Sequence, residues 1–266
     1  MSNFEPALCT VTFRGLRPAE IVPLAVQARL AAIEWAGDVH VPPGDTPAAE
    51  DAARLCREAR LAVSYGSYVA PPTDDIEAFR RVLDTTIRLG ATNIRIWPGS
   101  RGRDSADYTA PERRAVAAAI RDMGDEASRH GVTVSLEYHP QSLTDETQSA
   151  LRLIEDVGHD NVYLYWQPRP GLRLCATFDE IAQIGPHVSH IHVFAWDHER
   201  NRFALETASD YWREVIAAMP ETRWRGRRFA MLEFVARDDP QAFLRDAATL
   251  ARIVAPGPIT AGRQAG

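Results

Sequence analysis

Lysine is absent from this chain of 266 residues, and all thirty of its basic side chains are arginine. Chemistries that depend on a lysine amine therefore fall away: Schiff-base aldolases, pyridoxal-phosphate enzymes and P-loop kinases. Cysteine is scarce. Cys9, Cys56 and Cys175 are odd in number and far apart, which suits neither a disulfide framework nor a thiolate metal site, so all three read as small packed side chains. No apolar run approaches the ~18 residues of a membrane span. Met1–Thr10 holds no basic cluster ahead of an apolar stretch, so no signal peptide is expected and the cytoplasm is the default location. Gly-rich phosphate cradles of the P-loop or Gly-x-Gly-x-x-Gly kind are also missing.

What is present has an ordinary globular balance, with 45% apolar and 25% charged residues and a net charge of −6. That acidity weighs against a nucleic-acid partner, which needs a basic face for phosphates. Short β-branched or aromatic runs alternate with Ala-, Arg- and Leu-rich stretches of helical period. Strands are predicted at Leu8–Phe13, Ala32–Trp35, Ala62–Tyr68, Asn93–Trp97, Val132–Tyr138, Val162–Trp166, His190–Phe194 and Phe229–Phe234. Helices are predicted at Pro18–Leu30, Pro47–Arg60, Asp74–Leu89, Pro111–His130, Thr144–Val157, Thr177–Ile184, Ser209–Met219 and Pro240–Val254. Thr109 with Glu112 fits a capping box, Thr144–Thr147 offers polar caps, and Gly90 and Gly131 stand where helices should end. Eight such units imply a parallel sheet closed into a (β/α)8 TIM barrel, one domain over residues 1–254. Residues 255–266, rich in Pro and Gly, read as a frayed tail.

Active sites of such barrels lie at the carboxyl ends of the strands. There the chain places Glu34, Arg95, Glu137, Gln167, His190, His192 and Glu233. Residues two apart face the same way on a strand, and Ile191 and Val193 suit the layer under the helices, so His190 and His192 point inward. Glu137, Gln167, His192 and Glu233 would then converge at one mouth. Two carboxylates, an amide oxygen and an imidazole form an oxygen-rich set suited to one divalent metal, Mn²⁺ foremost, with Mg²⁺, Co²⁺ or Zn²⁺ acceptable.

At these residues the sequence resembles the sugar phosphate isomerase/epimerase family of xylose isomerase-like TIM barrels. The resembling segments are Ile33–Asp45, Gly90–Trp97, Leu136–His139, His190–Phe194 and Leu232–Glu233, in the family's order along nearly the whole chain. The resemblance implies metal ligands after strands five to eight, which by position are Glu137, Gln167, His192 and Glu233. The family usually carries Asp where this chain has Gln167, so one negative charge is lost, and His139 is placed to compensate.

The implied function is a metal-dependent sugar isomerase or epimerase that removes a proton next to a carbonyl and passes through an enediolate. Glu137 and Glu233 are the catalytic candidates, one removing the proton and the other returning it. With no lysine, proton transfer is preferred over a lysine-assisted hydride shift. Glu34, His40, Trp97, His139, Trp196 and Arg200 are the substrate-binding candidates, with Trp35 and Trp166 as further walls for a sugar. Arg95 is expected to pair with a barrel carboxylate instead. Alternative readings are a metal-dependent 3-keto-glycoside lyase on the same fold and a non-catalytic sugar-binding barrel. A small carbohydrate is the expected partner, with no nucleic acid and no membrane, and the outer helices leave room for a homo-oligomer.

Overall fold

The alternation of strand and helix closes on itself in a computed structural model that describes residues 4–169 and 171–255. Eight parallel strands follow one another around the barrel: β1 Phe4–Cys9, β2 Ala32–Ala36, β3 Ala62–Gly66, β4 Asn93–Ile96, β5 Thr133–Glu137, β6 Val162–Trp166, β7 Val188–Val193 and β8 Arg228–Leu232. Pairing of Phe4 with Arg228 through Leu8 with Leu232 completes the ring. The helices are α1 Pro18–Gln27, α2 Thr46–Glu58, α3 Ile76–Leu89, α4 Ala110–Ser128, α5 Thr147–Val157, α6 Leu174–Ile184, α7 Ser209–Ala218 and α8 Pro240–Val254. Among the described residues no helix is long and apolar enough to cross a membrane.

Two cores follow from the two-residue period of the strands. Ile33, Trp35, Ile94, Ile96, Leu136, Leu164, Trp166, Ile191 and Val193 face outward, beneath the helices. Ala7, Cys9, Ala32, Ala36, Tyr165, Phe229 and Met231 fill the lumen. Helix α3 shows how the outer layer is built. Asp75 caps it by accepting from the Ala78 amide at 2.9 Å, and Phe79, Val82, Leu83, Thr86 and Leu89 form one buried stripe. Each large apolar side chain so buried contributes about 1.5–3 kcal/mol. Gly90 then ends the helix at φ 71°, a left-handed conformation that costs glycine nothing.

The capping box at Thr109 and Glu112 forms as the sequence implied. Strand β1 departs from expectation: it runs from Phe4 to Cys9, and Thr10–Phe13 is a 3-10 turn. Thr10 is responsible in part, because its hydroxyl accepts the Ala36 amide at 2.9 Å and fixes the turn against the end of β2. Helix α5 begins at Thr147 because the Thr144 hydroxyl is spent on the Glu137 carbonyl and does not cap a helix. Of the segment expected to fray, residues 256–266 lie outside the described residues.

Candidate active site at the carboxyl end of the barrel

Small residues on β1 to β3 leave the lumen room for one large cation. Arg95 of β4 occupies it, and Gly66 of β3 lies so close that a Cβ there would sit 2.6 Å from Arg95 Nη2 and 2.8 Å from Glu34 Oε1. Arg95 donates from Nε to Glu34 Oε1 at 3.2 Å, and its Nη1 pairs with Glu137 Oε2. Burial alone would raise the Glu34 carboxyl, yet the Arg95 charge and the His192 ring outweigh it and hold Glu34 well below the usual carboxylate range. Arg95 pairs with barrel carboxylates, as its place in β4 suggested.

His192 of β7 links this pair to the mouth. Its Nε2 lies 3.5 Å from Glu34 Oε1, while its Nδ1 lies 3.3 Å from Gln167 Oε1 and 3.6 Å from Glu233 Oε2. Burial pushes the imidazole toward its neutral form, but Glu233 and Glu34 prevail and its pKa is raised. Glu233 is raised in turn by burial, against the pull of His192. The other histidine of the pair also faces the lumen but sits lower. His190 stacks on Phe229 at 5.2 Å, and its Nδ1 accepts the Phe229 amide at 3.1 Å.

These contacts bear on a metal. Glu34, Glu137 and Glu233 stand around one guanidinium and one imidazole in a buried site. Among the described residues Glu34 Oε2 and His192 Nε2 are both buried without a hydrogen-bond partner. Such a set is costly alone and suits a divalent cation, which balances the charge. Gln167, His192 and Glu233 converge as donors, and Glu137 reaches the cluster through Arg95. The donor set fits a divalent metal.

Sequence reasoning missed Cys9. Its Sγ donates to Glu34 Oε1 at 3.1 Å, and donor atoms of Cys9, His192 and Glu233 lie within 4.8 Å of one another. It was overlooked because a strand running to Phe13 would make Cys9 an interior position; ending β1 at Cys9 puts it at the carboxyl end.

Above the cluster lies a cavity of about 210 Å³ lined by His139, Gln167, Trp196, Arg200 and Glu233, all named from the sequence. Arg202 also lines it, stacked over Phe234 at 4.5 Å. Trp97 lies against His139, with ring centroids 4.6 Å apart. Glu34 and His40 do not line this cavity. Glu34 lies beneath His192, and both His40 nitrogens are engaged, Nδ1 with Thr10 Oγ1 at 2.9 Å and Nε2 with the Phe13 carbonyl at 3.1 Å. Trp35 and Trp166 are corrections: both face the helices, and Trp166 donates to Glu180 at 2.9 Å. The cause is parity, since each adjoins a residue that faces inward.

The fold accords with comparison to known proteins. The profile of the xylose isomerase-like TIM barrels matches residues 22–253. The chain belongs to that family. A 3-dehydroshikimate dehydratase of Bacillus anthracis is 30% identical over 105 residues, 37% of this chain and 35% of the relative, so the match spans about a third of that protein. Among solved structures, the probable 3-DHS dehydratase AsbF from Bacillus anthracis superposes with a TM-score of 0.76 at 19% identity, covering 93% of this chain and 99% of the other. A D-allulose 3-epimerase from Methylomonas sp., in complex with D-allulose, gives 0.68 at 14% identity, covering 95% and 97%. At these identities the structural likenesses establish the shared fold. The proteins that share this fold thus include epimerases, and the partial relative is a dehydratase.

Proposed function

We propose that this xylose isomerase-like barrel is a divalent-metal-dependent enzyme that removes a proton next to the carbonyl of a small polyhydroxylated substrate, in the manner of a sugar isomerase or epimerase. The carrying observation is the His192 ring, faced by Gln167 Oε1 and Glu233 Oε2 at the base of the 210 Å³ cavity. Gln167, His192 and Glu233 would hold the metal, Mn²⁺, Mg²⁺, Co²⁺ or Zn²⁺, with Glu137 joining from its bond to Arg95. When bound, such an ion polarises the carbonyl and acidifies the neighbouring carbon.

Glu233 is the base. It lines the cavity in which the substrate would lie, so its carboxylate can reach a proton beside the carbonyl. Glu34 positions His192 from beneath, as the outer carboxylates of metal-bound histidines do. His139, Arg200 and Trp196 line the substrate's space, with Trp97 behind His139, and His40 supports the first turn. Return of the proton to the opposite face gives epimerisation, and return to the neighbouring carbon gives isomerisation.

A second reading, loss of a β-hydroxyl as water, is favoured by one contact. Glu137 is paired with Arg95, which weakens it as the second carboxylate of a proton relay, whereas His139 in the cavity can protonate a departing hydroxyl. The dehydratase relative supports the same reading.

Incubation in D₂O with each metal, a panel of ketoses including D-allulose, and 3-dehydroshikimate separates the outcomes. Deuterium at the carbon next to the carbonyl of a ketose supports the first reading. A dehydrated product with new ultraviolet absorbance supports the second. Neither signal with any metal overturns both.

A further inference from the structure

A larger cavity, of about 520 Å³, opens at the opposite end of the barrel, between α2, the starts of β3 and β4, and the segment leading into β8. Its floor is polar and buried. Ser64 and Asn93 line it at 1% exposure each, and among the described residues neither Ser64 Oγ nor the cavity end of the Asn93 amide has a hydrogen-bond partner. The other end of that amide meets the Thr133 and Ser135 hydroxyls at 2.9 and 2.8 Å. Because a hydroxyl accepts as well as donates, the amide can present either its oxygen or its NH₂ to the cavity. His190 lines the same space, and because its Nδ1 accepts from the Phe229 amide, its proton lies on Nε2.

The walls are aromatic. Phe229 stacks on His190, and Trp224 meets His190 edge-on at 5.0 Å. Arg57 and Arg227 stand among the lining residues, and among the described residues no carboxylate does. Arg227 is engaged by Glu5 at 2.6 and 2.7 Å, whereas Arg57 makes no ion pair among the described residues. The cavity thus offers unpaired polar groups at the floor, flat apolar walls and one uncommitted cation. Buried polar groups left unpaired are costly, so an occupant that hydrogen-bonds to the floor is preferred over an apolar one.

We infer that this cavity is a second binding site, for a flat aromatic carboxylate bearing an oxygen substituent at its far end. The substituent hydrogen-bonds with Asn93 and Ser64, the ring packs against Trp224 and Phe229, and the carboxylate meets Arg57. The site shares no lining residue with the cavity at the carboxyl end, and it holds whichever chemistry that end performs.

The test uses the full chain labelled with 5-fluorotryptophan, with the Trp224 and Trp196 resonances assigned by their loss in Trp224→Phe and Trp196→Phe. On titration with 4-hydroxybenzoate, the Trp224 fluorine resonance shifts saturably, and does so equally in Glu233→Gln. Arg57→Ala, on the exposed surface of α2, weakens binding about tenfold, the worth of one charged hydrogen bond. Asn93→Asp keeps a hydrogen-bonding oxygen beside the Thr133 and Ser135 hydroxyls and also weakens it, and benzoate binds less tightly than 4-hydroxybenzoate. The proposal fails if Trp224 is unmoved at roughly 10 mM ligand, weaker than any specific site of this size. It also fails if only Trp196 responds, or if Arg57→Ala binds as well as the parent chain.

Discussion

His190 and His192 stand two residues apart on one strand, both facing the lumen, yet the barrel drives them in opposite directions. Burial holds His190 down to about 3. His192 is equally buried, but Glu233 and Glu34 raise it. The difference lies in what the other strands place opposite each ring. At the amino end these are Phe229 and Trp224; at the carboxyl end they are carboxylates joined by Arg95, while Tyr165 lies against both rings. One end is an aromatic plug with a polar-floored cavity beside it. The other is a cluster of three carboxylates around Arg95 and His192.

The strongest way to break this contrast is Arg95→Met. It strands Glu34 and Glu137 without their cation, and unfolding stability should fall by about 3–5 kcal/mol. A loss below about 1 kcal/mol in urea unfolding would show that the carboxylates do not depend on Arg95. Glu233→Gln comes next. It should lower turnover by about 10²–10⁴-fold while the chain stays folded, and Glu137→Gln should cost less because Arg95 already restrains that carboxylate. Full activity in both variants would sink the proton-transfer account.

The two histidines separate by pH. In the proposed site a proton competes with the metal for the His192 ring, whose pKa is raised, so metal affinity should weaken as pH falls, by about tenfold per unit once the ring is protonated. Calorimetric titration with Mn²⁺ between pH 6 and 8 checks this. His190 acts on folding stability instead. Between its ordinary value of 6.5 and about 3, the unfolded chain binds a proton that the folded chain does not. Stability should therefore rise with pH through that window, and His190→Gln should flatten that rise. The smallest effect serves as the control. Thr109→Ala removes a helix cap remote from both ends, costing about 1 kcal/mol and leaving metal affinity unchanged.

Much of this was legible before any coordinates. The eight strands and eight helices, the capping box at Thr109 and the inward pair of His190 and His192 follow from periodicity and local chemistry. So does the gathering of Gln167, His192 and Glu233, because a closed parallel barrel brings its strand ends together. Trp35 and Trp166 were readable too, since alternation with Glu34 and Gln167 already turns them outward. Cys9 was not, because its role depends on a strand that stops at Cys9, and Thr10 stops it by a bond to β2.

The missing lysine keeps its meaning: it leaves arginine as the permanent cation. Sequence alone determined the barrel, the faces of its strands and the kinds of side chain at its mouth, because these depend on spacing within each element. Only the tertiary structure decided that Arg95 binds Glu34 and Glu137, that Glu34 lies beneath His192, and that the Asn93 amide lines the far cavity. Those outcomes are set by distances between residues far apart in the chain, and a buried charge or donor is defined by whatever the fold places within a few ångströms of it.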